Sequence, residues 1–155
     1  MIFFWRWEED LLSLPYLILN NKIISYFEIA AKLAISKNDR RHFLMGAIAI
    51  RKDGAMVKAI NSPTQEPDRR FHAEYKLANK LDVGSTVYVV RIRLIDGRFG
   101  IARPCKNCQK VLISKRVEKV YYTISPSEWG LWLPQKDEEQ TFSKNHNDMK
   151  NKRFL

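Results

Sequence analysis

The whole cysteine complement of this 155-residue chain is one pair, Cys105-Lys106-Asn107-Cys108 directly after Pro104, and one of its three histidines stands earlier as His72-Ala73-Glu74. That constellation limits the fold more than any other feature, because residues far apart in the chain must meet at one point. At the start of a helix, side chains at i and i+3 share a face, and the helix N-terminus favours anionic thiolates. His72 can then supply a third ligand from a neighbouring helix. Tetrahedral Zn2+ takes four donors, so three protein ligands leave one position open, which is the mark of a catalytic rather than a structural site. Glu74, two residues from a ligand, is free to move protons. A redox Cys-x-x-Cys would need no His-x-Glu, and a closed structural site would need a fourth ligand, for which only His42 and His146 are left. The expectation is one Zn2+ per chain on His72, Cys105 and Cys108.

Around this centre the chain reads as alternating helices and strands. Ser25 and Glu28 have the spacing of a capping box, and Tyr26, Ile29, Ala30 and Leu33 follow at helical intervals, which predicts a first helix from Ser25 to near Asn38. Arg40, Arg41 and His42 fall on the loop after it. Phe43 to Arg51 predicts a buried strand, Asp53-Gly54 a tight turn, and Met56 to Ile60 the returning antiparallel strand, with Asn61 at its end before Ser62-Pro63. Arg69 and Arg70 close the next loop, immediately before His72. Phe71, Leu77, Ala78 and Leu81 give the motif helix an apolar side, and Gly84 comes soon after its end. Thr86 to Ile95 is apolar on both faces in its first half, which suits a central strand covered by helices. Asp96 to Ala102 reads as a loop, Pro104 opens the second motif helix, and Val117 to Ile124 predicts a strand beside the previous one. Past Ile124 the topology is open. Trp129 and Trp132 are expected in the core, with stacking on a base as the rival role, and residues 143–155 form a polar Lys- and Asn-rich tail.

With these residues in place, the chain resembles the cytidine and deoxycytidylate deaminase superfamily over roughly residues 25–125. The resemblance rests on His72-Ala73-Glu74, on Pro104-Cys105-Lys106-Asn107-Cys108, on the Gly46–Ile50 strand, on Asn61 at a strand end, and on the order strand, motif helix, strand, motif helix. It implies an α/β fold of three layers, a mixed central β-sheet with helices on both faces. The domain plan that follows is an N-terminal extension over 1–24, a zinc deaminase core over 25–125, and a C-terminal extension over 126–155. It also implies roles. Glu74 takes a proton from the attacking water, then protonates N3 of the ring and later the departing ammonia. Two thiolates cancel the charge of Zn2+, which makes such a nearby base necessary. Asn61 is expected to hydrogen-bond the substrate sugar, with Ala73 and Pro104 joining it as substrate contacts. Arg103 adds a cation beside the pocket, while Arg69 and Arg70 are candidate phosphate contacts or solvated surface charge.

Charge bears on the substrate. The formal net charge is +10, and the excess lies over residues 21–124, whereas the first twenty residues are net acidic. A basic field of that kind draws a polyanion, while a free nucleotide needs only one or two well-placed cations. Cytosine in DNA is therefore the favoured substrate. A free deoxycytidine nucleotide, dCMP converted to dUMP, is the alternative, followed by adenine in RNA and a zinc-binding module without turnover. No apolar run approaches the ~20 residues of a membrane span, and no basic region with a small-residue cleavage site opens the chain, so no membrane partner is expected. Cysteines assigned to a metal leave no disulfide framework, consistent with an intracellular, reducing, cytoplasmic setting. The aromatic stretch Met1 to Trp7 is expected to pack on the domain, with a homo-oligomer surface as its rival.

Overall fold

Helix α1, Leu14–Ile35, lays one apolar side on the sheet in the computed structural model, which describes residues 14–35, 43–60 and 73–143. Ile23, Ile24, Phe27, Ala30, Ala31 and Ala34 recur at intervals of three and four and are all buried. The helix thus begins well before Ser25. Ser25 is no cap: its hydroxyl donates to the Asn21 carbonyl at 2.8 Å, a bond to the turn before it. A serine can satisfy its hydroxyl that way inside a helix, so the Ser-x-x-Glu spacing alone does not mark a start. Pro15 lies in the first turn, where its missing N–H is harmless. The expected end near Asn38 lies outside the described residues.

Strand β1, Phe43–Ile50, pairs antiparallel with β2, Met56–Ile60, as expected, with Gly46 opposite Ile60. The turn between them uses Gly54 at φ +90°, a left-handed conformation that costs glycine little, and Asp53 accepts a hydrogen bond from the Ala55 amide at 3.0 Å. On its other side β1 pairs antiparallel with β3, Thr86–Arg93, and β3 in turn pairs parallel with β5, Lys119–Ser125. Strand β3 is thus central, buried on both faces through Val90. A two-residue strand β4, Phe99–Gly100, folds back on the end of β3, where the sequence predicts only a loop. Beyond Ile124 the chain turns back as β6, Glu128–Leu133, and again as β7, Glu138–Ser143, both antiparallel to their neighbours. The described strands form one mixed sheet of seven, ordered β2-β1-β3-β5-β6-β7, with β4 attached to β3.

The helices complete three layers. Helix α1 covers one face, and α2, Ala73–Ala78, with α3, Lys106–Ser114, covers the other. Trp129 belongs to the α1 core and Trp132 to the opposite one, both almost fully buried, so both tryptophans are packing residues. Among the described residues no helix is long and apolar enough to cross a membrane. Residues 1–7 and 144–155, and with them the expectations for the aromatic stretch and the polar tail, lie outside the described residues.

Candidate metal centre

The cysteine pair sits at a helix start, as its spacing predicts. Cys105 is the N-cap of α3, with extended backbone at φ −65°, ψ 164°, and Cys108 lies in the first turn, fully buried, while Cys105 is exposed. Neither is in a disulfide. The turn is tied from within: the Gln109 amide donates to the Cys105 carbonyl at 2.8 Å, and the Gln109 side chain donates to the Pro104 carbonyl at 2.8 Å. From β4 onward the chain is held against β5, where the Ala102 amide donates to the Thr123 carbonyl and the Thr123 hydroxyl donates to the Gly100 carbonyl, each at 2.8 Å. These bonds place the start of α3 relative to the sheet.

Helix α2 packs against α3 and brings Glu74 with it. Ala73 and Leu77 are fully buried, which fixes the helix rotation, and Glu74 is only 2% exposed. Its Oε2 atom is buried with no hydrogen-bond partner among the described residues. Burial pushes the Glu74 carboxyl up to about 7, with its own backbone amide pulling the other way. A carboxylate oxygen left without a donor at this depth is costly, and such groups mark places where a protein holds chemistry rather than stability.

His72, Asn61, Arg69 and Arg70 lie outside the described residues. Among the described residues no group of three His, Cys, Asp or Glu side chains is placed to hold a metal. The described residues still fit a zinc centre: two thiols stand at a helix start as ligands, α2 begins at the residue after His72, and Glu74 on that helix presents a buried carboxyl oxygen with no partner among the described residues, placed to move protons rather than to bind metal. Pro104 is buried and Arg103 exposed at the approach to Cys105. The Arg103 guanidinium is engaged, donating from Nε at 2.6 Å and Nη2 at 3.0 Å to the two oxygens of Glu139 on β7. Tyr122 donates its hydroxyl to the same carboxylate. The Arg103 hydrogen bond, then the Tyr122 hydroxyl, hold Glu139 below its usual range, and Glu139 in turn raises Arg103. Sequence reasoning missed Glu139 and Tyr122. The available signal was Gly130, a lone glycine inside a strand, which marks a close approach by some neighbour.

A three-layer α/β domain thus carries a cysteine pair at the start of one helix and a buried glutamate on a helix packed against it. The chain is matched over residues 20–124 by the family model for the cytidine and deoxycytidylate deaminase zinc-binding region, and it belongs to that family. Comparison with curated proteins gives no match.

Proposed function

We propose that this protein is a zinc-dependent hydrolytic deaminase that converts cytosine to uracil, with cytosine in DNA as its substrate. The observation that carries the reading is the buried Glu74 oxygen, without a hydrogen-bond partner among the described residues, on a helix packed against the one that Cys105 opens, in a chain of this family. His72, Cys105 and Cys108 hold one Zn2+ per chain. When bound, zinc supplies Lewis-acid activation of the water that attacks the ring. Glu74 does the proton work: its carboxylate accepts a proton from that water as the C4–O bond forms and passes it to ring N3, then takes the second proton from the new C4 hydroxyl as the carbonyl forms and delivers it to the amino nitrogen as the C–N bond breaks and ammonia leaves. Burial keeps bulk water from competing for those protons. Asn61 is assigned to the substrate sugar, Ala73 and Pro104 to the walls of the base site, and Arg69 and Arg70 to phosphate. Arg103 can reach a substrate only by giving up Glu139.

The polymer reading is supported by charge beside the centre. Helix α3 has Cys105 as its N-cap, contains no acidic residue, and exposes Lys106 and Lys110 in its first two turns. Together with the net charge of +10, exposed cations there suit a phosphate backbone passing over the site. The test is turnover of dCMP beside cytosine- and adenine-containing oligonucleotides, single and double stranded, across a salt series. With six or more phosphates engaged, oligonucleotide affinity is expected to fall ~10³-fold or more between 50 and 200 mM salt. Efficient dCMP turnover with no oligonucleotide deamination at low salt would assign the protein to free nucleotides instead.

A further inference from the structure

On the α2/α3 face, three neighbouring strands present one connected set of side chains. Tyr122 on β5 lies opposite Gly130 on β6, and Glu139 on β7 lies opposite Trp132. Gly130 has no side chain, and the Tyr122 ring fills that space: a Cβ at residue 130 would overlap the ring. The ring therefore reaches across β6, and its hydroxyl meets Glu139. The same carboxylate takes a two-pronged contact from Arg103, whose Nε shares Oε1 with the Tyr122 hydroxyl while Nη2 donates to Oε2. An isolated surface ion pair contributes little, but a bidentate guanidinium on a carboxylate held by a second donor is the geometry in which such a pair fixes position.

What it fixes is the approach to Cys105. Arg103 precedes a proline and is confined to extended backbone, and Pro104 has its φ locked, so few soft torsions separate the anchored guanidinium from the N-cap thiol. The Ala102 bond to β5 secures the same segment from behind. We propose that Glu139, set by Tyr122 and acting through Arg103, is a positioning residue for Cys105 in the zinc site, which makes the β6–β7 hairpin a working part of the centre. This rests on the reading of Cys105 and Cys108 as zinc ligands. Partners that hydrogen-bond a metal ligand directly typically govern affinity by ~10–100-fold, and Glu139, acting one remove further through Arg103 and the backbone, is expected at the lower end of that range.

The test is metal binding by the full chain, read without turnover. Co2+ is titrated in place of zinc and its thiolate and ligand-field bands recorded, and Zn2+ affinity is measured by chelator competition. Glu139→Gln is expected to weaken Zn2+ binding about 10-fold and to alter the cobalt bands, with the metal-free melt little changed. Exchanging the charges, Arg103→Glu with Glu139→Arg, is expected to recover part of that loss, which a general loosening of the fold would not do. If Glu139→Gln fails to fold, Tyr122→Phe, which keeps the ring over Gly130 and removes only its hydroxyl, reads the same contact with a smaller shift in the same direction. A wild-type chain that binds no cobalt overturns the metal reading and this inference with it. A wild-type chain that binds cobalt, alongside a folded Glu139→Gln or Tyr122→Phe of identical affinity and spectrum, overturns the inference alone.

Discussion

The two faces of the sheet are made by the same strands and do different work. On the α1 face the core is aromatic: Phe27, Phe99, Tyr88, Tyr121 and Trp129 pack together, Tyr88 stacks on Tyr121 with ring centres 5.2 Å apart, and Trp129 stacks on Phe142 at 5.8 Å. Opposite, the same alternation delivers small residues, among them Ala47, Ala49, Ala59, Val87 and Val89, and Ala73 of α2 and Ala102 join them from above. Small side chains let α2 and α3 come down together on the sheet, and there the chain buries Glu74 and Cys108. One face gains packing area, while the other brings together the two helices that carry the cysteine pair and the buried carboxyl. The lesson is that a strand's period of two lets one sheet be fitted differently on its two faces, to an aromatic core on one side and on the other to the helices that carry Glu74 and the cysteines.

The sharpest way to break that comparison is Glu74→Gln. Turnover is expected to fall by ~10²–10⁴-fold or more, because the amide cannot shuttle protons, while zinc content and fold are retained. Steady-state kinetics with metal analysis on the same sample decides it, and a variant of near-normal activity would remove Glu74 from the mechanism. Phe27→Ala is the counterpart on the other face. Deleting a fully buried ring is expected to lower unfolding free energy by about 3–5 kcal/mol in denaturant titrations, with the folded fraction keeping its kcat/KM. Lost turnover in a fully folded Phe27→Ala sample would mean that the faces are not separable.

How far these faces were legible in the sequence follows from what each residue signals alone. The cysteine pair at a helix start and the glutamate on the neighbouring helix were readable, because thiols and a carboxylate at those spacings have few other uses. Strand β3 was readable as central from its unbroken apolar start, and β5 as its neighbour from chain order. The start of α1 was not, since Ser25 and Glu28 imitate a cap inside a helix. Nor was β7: Glu138 to Gln140 are exposed acids and an amide, held by pairing with β6 rather than by an apolar stripe. The contact of Glu139 with Arg103 depends on the register of β5, β6 and β7, and register is a property of the assembled sheet.

A smaller effect tests how closely the packing face is fitted. Gly46 lies under α1, where an added Cβ would run into the Ala30 carbonyl oxygen and come within 3.1 Å of the Ala34 Cβ. Backbone cannot swing aside as a flexible side chain does. Gly46→Ala is expected to cost about 1–3 kcal/mol by overpacking, measured by chemical denaturation, with zinc affinity unchanged. A neutral or stabilising result would show that α1 can lift off the sheet freely and that the aromatic core is less tightly defined than its geometry indicates.

The smallest expected effect concerns the end of the sheet remote from Cys105. Asp82 accepts hydrogen bonds from the Ser85 hydroxyl at 2.6 Å and from the Lys52 amide at 3.1 Å, which ties the start of β3 to the β1–β2 turn. The Ser85 hydroxyl first, then the Lys52 amide, hold the Asp82 carboxyl below its ordinary value, against some desolvation and with help from the Arg51 charge. A carboxyl depressed in the folded state binds its proton less readily there than in the unfolded chain. Its contribution is therefore present above the unfolded value of 3.8 and lost as pH falls through the lower, folded one. Asp82→Asn is expected to lower Tm at neutral pH by less than Gly46→Ala does, because the carboxyl is solvent-screened. The gap between Asp82→Asn and the parent should close on acidification below the unfolded value. Melting curves of both chains over a pH series make the measurement, and turnover of Asp82→Asn at pH 7 should match the parent. A gap that widened in acid would reverse the sign of the linkage. Lost turnover would mean that this end of the functional face governs the centre, although β3 and the helices stand between them.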